Sequence, residues 1–287
     1  MAARRLHGLI YATIALCCMV IVICSVSLGT DQWFKATGSS VQSSSLSIEV
    51  SYGLFKGKKK STNEIGSLED ELKIVCVSSK CMFSCGKSGS QRKQNLEEII
   101  AGGAVTGDTI ICASGPVETR DSANKFGNFS GRQSDGTTTD PVFLSFALYL
   151  ITIICLCGAM IFAIVGGGLA LYNTYRTPFR PILSVFGLYI WNGISAAFVL
   201  LAMIIWGVAF ATSLSKNAGV SNTLTGTYST KGNGSLGISF WILPLALVFA
   251  ITNIGIIRYR SYRIVEMEAK NVKVMTEKLE SGDILLF

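Results

Sequence analysis

Charge is scarce in this sequence, and four long stretches have none at all. Only 15% of the 287 residues are Asp, Glu, Lys or Arg, against 49% apolar residues. Charged side chains are absent from residues 8–30, 141–175, 181–215 and 232–257. At about 1.5 Å per helical residue, each stretch can cross a hydrocarbon core of about 30 Å. The mean hydropathy of +0.47 is also high for a water-soluble globule, so the sequence predicts four membrane spans.

Groups that carry catalysis or bind metals are equally scarce. The only histidine is His7, and the sequence contains no Ser/His/Asp set, metal-ligand cluster or phosphate loop. Ionisable residues within spans usually mark ion or proton pathways, and the second and third stretches have none. The sequence therefore predicts that the protein is not an enzyme, binds no cofactor and holds no metal.

Basic residues lie next to the predicted spans on one side of the membrane. Arg4 and Arg5 precede the first span, Arg176 and Arg180 follow the second, and Arg258 begins a basic segment after the fourth. The positive-inside rule places these flanks in the cytoplasm. We therefore expect a multi-pass plasma-membrane protein with both termini cytoplasmic.

Cleavage of the first span as a signal peptide is the alternative. Ser25-Val26-Ser27 offers a small-x-small cleavage pattern behind a basic amino terminus. The uncharged stretch is longer than the usual signal core of about 7–15 residues, which favours a retained helix. The predicted organisation is a cytoplasmic N-terminus (1–7), four spans (8–30, 141–172, 183–213 and 235–257), a large extracellular loop (31–140), a cytoplasmic turn (173–182), a short extracellular loop (214–234) and a cytoplasmic tail (258–287).

The large loop is neutral, since it has as many basic as acidic residues, and the net charge of +7 lies elsewhere. This distribution fits anionic lipid of the inner leaflet better than nucleic acid.

Asn-x-Ser/Thr acceptors occur at Asn128 and Asn233, both on the predicted outer side. Asn128 is the better glycosylation candidate because its surroundings are polar.

Four of the nine cysteines lie in the large loop: Cys76, Cys81, Cys85 and Cys112. An even set in an oxidising compartment predicts a disulfide framework, and four cysteines allow three pairings. A zinc site is the alternative because three of them are closely spaced. The absence of a Cys-x-x-Cys pair and of a loop histidine favours disulfides.

The same loop has β character. Leu46, Ile48, Val50 and Tyr52 alternate with polar residues, which predicts a half-buried strand. Residues 56–60 are interpreted as a basic turn, residues 72–77 as a second strand and residues 91–101 as a helix. We therefore expect a small, disulfide-linked, β-rich extracellular domain.

Small and polar residues within the spans predict helix packing. Ala159, Ala163 and Gly167 recur every four residues, and Gly193 and Ala197 have the same spacing. Small residues on one face allow close approach of helices in lipid, so we expect contacts inside one bundle, with a homo-oligomer interface as the alternative.

Two asparagines lie near or within spans, Asn192 and Asn253. They are predicted to form interhelical hydrogen bonds rather than to line a pore. The cysteines of the spans, among them Cys17, are interpreted as small apolar packing residues.

The predicted tail offers a second contact surface. Residues 258–263 continue the fourth helix, residues 264–279 are also predicted helical, and the chain ends in Asp-Ile-Leu-Leu-Phe. Leu285 and the terminal Phe287 suit strand addition to a PDZ-type adaptor, which captures a terminal carboxylate. An acidic dileucine-like sorting signal and a frayed terminus are the alternatives.

Several short motifs carry a family resemblance. Trp33, twenty residues before Gly53-Leu54-Phe55, resembles the Trp…Gly-Leu-Trp signature of the claudin-like tetraspan superfamily, with Phe55 in place of the last Trp. More specific segments resemble the clarin family: Trp33-Phe-Lys-Ala36, Tyr52-Gly-Leu-Phe-Lys-Gly57, an inner-turn motif with Tyr172, Asn173, Pro178 and Phe179, Gly187-Leu-Tyr189 and Ser239-Phe-Trp241. The first loop is longer than the clarin pattern and has extra cysteines between Cys76 and Cys112, so the resemblance implies a divergent or invertebrate member.

The resemblance implies a fold and a role. The fold is that of an all-α membrane protein, a four-helix transmembrane bundle with a small disulfide-linked, β-rich extracellular domain from the first loop. Trp33 and Phe55 are expected to pack together and seat this sheet on the bundle. Clarins are linked to sensory hair cells, photoreceptors and synapses, where they organise membrane proteins and the underlying actin. A claudin-like paracellular barrier or channel, a cell-adhesion protein and an auxiliary subunit of an ion channel are the alternatives.

Overall fold

A computed structural model describes residues 2–40, 47–63, 66–84, 88–101, 143–175, 185–216, 228–229 and 232–280. The chain divides into two compact units. The helix unit comprises Met1–Cys24, Cys157–Leu200 and Pro244–Phe287, and the sheet unit comprises Ser25–Leu156 and Leu201–Leu243.

Four helical segments coincide with the uncharged stretches of the sequence. The described helices are α1 (Ala2–Gly29), α2 (Gly89–Ile100), α3 (Phe146–Tyr175), α4 (Val185–Ala209, continued by a π-helical turn at Phe210–Leu214), α5 (Ile238–Trp241) and α6 (Leu243–Glu280). The segments Gly8–Gly29, Phe146–Tyr175, Phe186–Leu214 and Ile238–Glu277 are long and apolar enough to cross a membrane. The bounds of the spans in a bilayer, and the side on which each loop lies, stay predictions.

The described strands form one antiparallel sheet in the sheet unit. They are β1 (Phe34–Ser40), β2 (Ser47–Tyr52), β3 (Lys56–Asn63), β4 (Gly66–Val77), β5 (Lys80–Ser84), β6 (Leu144–Ser145), β7 (Tyr228–Ser229) and β8 (Gly234–Leu236). The order is β6-β5-β4-β3-β2-β1-β7, and β8 also pairs with β1. Strands β1 to β5 therefore form a meander of sequential neighbours. From the middle of the sequence, β6 extends the meander beside β5, and the later strands β7 and β8 extend it beside β1.

An eight-stranded sheet makes the expected all-α class too narrow. The alternation at Ile48, Val50 and Tyr52 is confirmed as a strand, since all three side chains are buried. The strand expected at residues 72–77 is confirmed as the last half of the longer β4, and the helix expected at 91–101 is confirmed as α2.

The interpretation of residues 56–60 as a basic turn is wrong, because these lysines belong to β3. The register of β3 on β4 explains the difference. Lys58, Lys59 and Lys60 lie opposite Glu71, Asp70 and Glu69, and opposite charges across an antiparallel pair stabilise it. The acidic partners lie about ten residues further along the chain, so a local pattern does not show them.

Each unit has its own core. In the helix unit, Ile10, Ala170, Leu188 and Ile257 form a buried cluster that joins all four long helices. In the sheet unit, the buried core is aromatic, with Trp33, Phe34, Tyr52 and Trp206 each at most 1% exposed. The continuation of the fourth helix through residues 258–279 is confirmed, because α6 runs unbroken to Glu280.

Candidate functional site

Trp33 lies at the centre of the sheet unit, directly after α1. Its side chain is fully buried, and its indole Nε1 donates a hydrogen bond to the carbonyl oxygen of Ser27 at 2.7 Å. The ring meets that of Trp206 edge to face, with centroids 5.0 Å apart. Edge-to-face aromatic pairs add about 0.5–1.5 kcal/mol beyond area burial. Trp33 thus joins the end of α1, the start of the sheet and a residue of α4.

The expected pairing of Trp33 with Phe55 is wrong. Phe55 is 51% exposed, whereas Leu54 beside it is fully buried. The reason is a close approach of the backbone at Gly53, whose N–H donates to the oxygen of Lys56 at 2.8 Å. A Cβ at Gly53 would lie 2.6 Å from the Cα of Asp31. Glycine is therefore required for contact with the chain after α1, and the tight turn directs Leu54 inward and Phe55 outward.

Hydrogen bonds tie the end of α1 to α5 within the sheet unit. The hydroxyl of Ser27 donates to the oxygen of Ser239 at 3.0 Å, and the hydroxyls of Thr30 and Ser239 are 2.6 Å apart. The backbone N–H of Gly237 donates to the oxygen of Trp33 at 2.9 Å. A Cβ at Gly237 would overlap the oxygen of Gln32, so this position also needs glycine. Ser239, from the Ser-Phe-Trp segment of the resemblance, thereby acquires a structural role.

A column of stacked rings joins three strands of the sheet. Phe34 stacks on Tyr52 with centroids 5.7 Å apart, and Tyr52 stacks on Phe83 at 4.4 Å with the rings nearly parallel. The three residues belong to β1, β2 and β5. Burial raises the pKa of Tyr52, so its hydroxyl stays protonated throughout the physiological range. The column is a rigid structural element and contains no ionised group.

The structure describes two of the four loop cysteines. Cys76 and Cys81 are disulfide-bonded and lie opposite each other in the β4–β5 hairpin. This pairing is one of the three that the sequence allows, and it rules out zinc ligation by these two sulfurs. Cys85 and Cys112 lie outside the described residues.

The other predicted site residues are scattered. Asn233 is exposed just before β8, and Asn128 lies outside the described residues. Tyr172 is 43% exposed on α3, and the side-chain amide of Asn173 donates to the oxygen of Leu169 in its own helix at 2.8 Å. Pro178, Phe179, Leu285 and Phe287 also lie outside the described residues, so their roles stay predictions.

A buried polar cluster joins three helices of the helix unit. Asn253 of α6 donates from Nδ2 to Oδ1 of Asn192 of α4 at 2.8 Å. The same Nδ2 lies 3.2 Å from Sγ of Cys17 of α1, and that thiol is 3.4 Å from Asn192 Oδ1. The predicted interhelical hydrogen bonds of the two asparagines are therefore confirmed. Cys17 is more than an apolar packing residue, since it completes the cluster.

The small residues of α3 pack as predicted, but those of α4 do not. Ala159 and Ala163 are buried, Ser195 donates to the oxygen of Ala159 at 2.8 Å, and a Cβ at Gly167 would lie 3.4 Å from the Cβ of Cys17. Gly193 has open space at its Cβ position and Ala197 is exposed. The buried face of α4 carries Asn192, Ser195, Ala196 and Val199 instead, because the buried hydrogen bonds of Asn192 and Ser195 set the orientation of the helix.

Sequence reasoning missed Trp206 and the stacked column. Trp206 is one of many apolar residues in an uncharged stretch, and no local pattern distinguishes it. In the described part of the chain its buried indole Nε1 has no hydrogen-bond acceptor.

No group of three or more His, Cys, Asp or Glu among the described residues is arranged to hold a metal ion.

Comparisons with known proteins point in one direction. Residues 131–226 match a family model described as Clarin-2-like. Human Clarin-3 is 26% identical over 239 residues, which cover 83% of this chain and 78% of that protein. Mouse Clarin-3 is 31% identical over 120 residues, or 41% of this chain and 52% of that protein. Rat Clarin-3 is 30% identical over 99 residues, or 34% of this chain and 43% of that protein.

Proposed function

Because this chain belongs to the clarin family, we propose that it is a non-enzymatic plasma-membrane protein that organises other proteins on both sides of the bilayer. The strands of the large first loop contact partners outside the cell. The tail contacts cytoskeletal, sensory-cell or synaptic machinery inside it. The four apolar helices support the membrane setting of this proposal.

The exposed end of α6 is the observation that carries the proposal. This helix has 38 residues, or about 57 Å at about 1.5 Å per residue, which is nearly twice the thickness of a hydrocarbon core of about 30 Å. Residues 268–277 are all exposed. Helical stability in proteins comes mostly from packing, so an exposed helix of this length is suited to a partner.

Local contacts keep this extension helical. Glu266 is bridged by Arg263 at 2.6 Å and by Lys270 at 2.8 Å, at spacings of three and four residues. Such pairs stabilise a helix by about 0.2–0.5 kcal/mol each. Between the charges lie apolar side chains, and Val265 and Val272 are 64% and 65% exposed. The extension therefore presents an exposed surface on which charged and apolar side chains alternate.

Further contacts of the tail belong to the proposal. A PDZ-type adaptor at Leu285 and Phe287 would bind just beyond the extension of α6. Association of two copies through the spans would bring two such extensions close together. Both contacts are consistent with an organising role, and neither requires a catalytic group.

Proximity labelling tests the proposal. A biotin ligase is fused to the amino terminus of the full chain in native cells, which leaves the carboxylate of Phe287 free, and the biotinylated proteins are identified. We expect a reproducible set of membrane and cytoskeletal proteins that is depleted in the Val265→Gln/Val272→Gln variant. The control Glu268→Gln/Lys273→Gln changes two exposed positions of the same helix without changing net charge, and should keep the set.

Two results would contradict the proposal. One is a labelled set that matches that of an unrelated four-pass protein and is unchanged in both variants. The other is a specific change in ion conductance across a cell layer without any enriched partner, which would favour a claudin-like barrier or channel.

A further inference from the structure

A cavity of about 400 Å³ opens beside the carboxyl-terminal end of α1, within the sheet unit. Its walls come from the end of α1, the connection between β2 and β3, β4 and α2. Ligand pockets typically measure about 300–1,000 Å³, so this volume suits a small polar group. No residue of the aromatic core lines the cavity, whereas Thr30, whose hydroxyl contacts that of Ser239, does.

The charged part of the lining is predominantly basic. Lys56, Lys73 and Arg92 line the cavity, against one carboxylate, that of Glu71. Lys56 and Lys73 lie directly opposite each other across β3 and β4, an arrangement that is destabilising for like charges. The other lysines of β3 face acidic residues of β4. The one lysine–lysine pair of this ladder is therefore at the cavity, where an anion would offset the repulsion.

The rest of the wall consists of Gly29, Thr30 and three apolar side chains. Leu28, Phe55 and Ile74 line the cavity, and the backbone N–H of Ile74 lies 3.4 Å from the oxygen of Phe55. Phe55 leaves half of its surface exposed although Leu54 beside it is buried. A soluble anion would gain nothing from an exposed phenyl ring, whereas an acyl chain would bury it.

The end of α1 indicates the depth of the cavity in a membrane that α1 crosses. Leu28 and Gly29 end the apolar segment Gly8–Gly29, which is about 33 Å long at about 1.5 Å per residue. The point at which such a segment leaves the hydrocarbon core is the headgroup region. Lysine and arginine side chains at this level contact headgroups, and their stems lie along apolar surface.

We propose that this cavity binds one lipid with an anionic headgroup from the adjoining leaflet. The headgroup lies between Lys56, Lys73 and Arg92, and an acyl chain lies along Leu28 and Phe55. On the predicted outer side this means a sulfated or otherwise acidic glycolipid, because the anionic phospholipids are concentrated in the cytoplasmic leaflet. The site requires that α1 crosses the membrane, and it is independent of the partners proposed above.

A pair of lipids that differ in a single sulfate group provides the test. The full chain is purified in an uncharged detergent and titrated with galactosylceramide or with sulfated galactosylceramide, and bound lipid is counted by native mass spectrometry. Inorganic sulfate serves as the probe for a soluble anion. The variant Lys56→Gln/Lys73→Gln removes two cavity charges. The control Lys60→Gln/Lys93→Gln removes two exposed lysines of β3 and α2 that do not line the cavity.

We expect one sulfated lipid per chain, bound at least about tenfold more tightly than the uncharged lipid. Each lysine near a membrane surface contributes about 1 kcal/mol toward anionic lipid, so the cavity variant should bind roughly 10–30-fold more weakly. The control variant should bind within about threefold of the unmodified protein. Higher salt should weaken binding, because exposed charges are screened.

Stability supplies an independent readout. Lys73→Gln alone removes the lysine–lysine repulsion, so it should not lower the melting temperature of the lipid-free protein. The variant should also show a smaller increase in melting temperature when sulfated lipid is added. Equal binding of the two lipids, or equal losses in the cavity and control variants, would overturn the proposal. Displacement of the lipid by an equal concentration of inorganic sulfate would show a soluble-anion site and would overturn it too.

Discussion

Trp33 makes two separable interactions at the residue scale. Its ring packs against Trp206, and its Nε1 donates to Ser27. Trp33→Ala should lose both and cost about 3–5 kcal/mol of folding free energy, whereas Trp33→Phe should lose the hydrogen bond and cost about 0.5–1.5 kcal/mol. Phe55→Ala should change the folding free energy little, because its side chain is half exposed. Melting in detergent and surface biotinylation should rank the variants in this order, and a Phe55→Ala variant as damaged as Trp33→Ala would contradict the packing described.

The hydrogen bond between Asn192 and Asn253 has a measurable coupling energy. Interhelical hydrogen bonds in membranes contribute about 0.6 kcal/mol on average and up to about 2 kcal/mol. A double-mutant cycle of Asn192→Ala and Asn253→Ala should therefore show coupling of about 1 kcal/mol in detergent. A cycle that pairs Asn192→Ala with Thr212→Val should be additive, because the Thr212 hydroxyl bonds to Val208 in its own helix. Coupling of equal size in both cycles would contradict the cluster.

The sequence predicted the importance of these residues better than their contacts. Trp33 and Gly53 carry the family resemblance, and both are buried at a point of close approach. The partner of Trp33 is Trp206, which lies more than 170 residues away, and no periodicity within one stretch indicates such a contact. The interhelical hydrogen bonds of Asn192 and Asn253 were predictable because strongly polar groups are rare in the uncharged stretches, but the sequence did not indicate that the two bond to each other.

At the scale of elements, the β4–β5 hairpin makes a prediction about disulfide chemistry. Lys80 lies between Cys76 and Cys81, so trypsin cuts inside the disulfide loop and releases two peptides, 74–80 and 81–87. Before reduction, mass spectrometry should detect these two peptides joined by a disulfide in one species. The link should persist in Cys85→Ser and disappear in Cys81→Ser. Persistence in Cys81→Ser would mean that Cys85, not Cys81, is the partner of Cys76.

Charge pairing between β3 and β4 makes a second prediction at this scale. Burial lowers the pKa of Lys59, and the charge of Asp70 opposes that shift. Asp70 is buried opposite Lys59, so Asp70→Asn should destabilise the sheet unit by roughly 1–3 kcal/mol. The neighbouring ion pair of Lys58 and Glu69 is exposed, and such pairs contribute about 0–1 kcal/mol. Thermal melting should therefore show a smaller effect for Glu69→Gln, and the reverse order would contradict this assignment.

The elements differ in how far the sequence predicts them. β2 and α2 follow from local periodicity, because each buries one face against a neighbour. β3 does not, since five consecutive positions with four lysines resemble a turn until their acidic partners are known. Strands β6, β7 and β8 have two or three residues each, and strands this short form only because β5 and β1 are already in place to receive them.

At the scale of the whole molecule, four uncharged stretches were sufficient to predict four helices that can cross a membrane. Fold class was predicted less well, because the sheet recruits strands from three separate parts of the chain. Resemblance of short motifs predicted the clarin family, which longer matches to Clarin-3 support. The side of the membrane on which each loop lies is inferred from the basic flanks of the spans, and the acceptors at Asn128 and Asn233 agree with it.

Epitope accessibility in cells tests the central claim that this is a four-pass protein with its large first loop outside and the carboxyl-terminal end of α6 inside. Three forms of the full chain have a tag at the amino terminus, at the carboxyl terminus, or between Gly136 and Thr137. We expect antibody to reach only the internal tag on intact cells and all three after permeabilisation. An amino-terminal tag that is reached on intact cells, or is lost from the mature protein, would contradict the account and indicate cleavage of the first span.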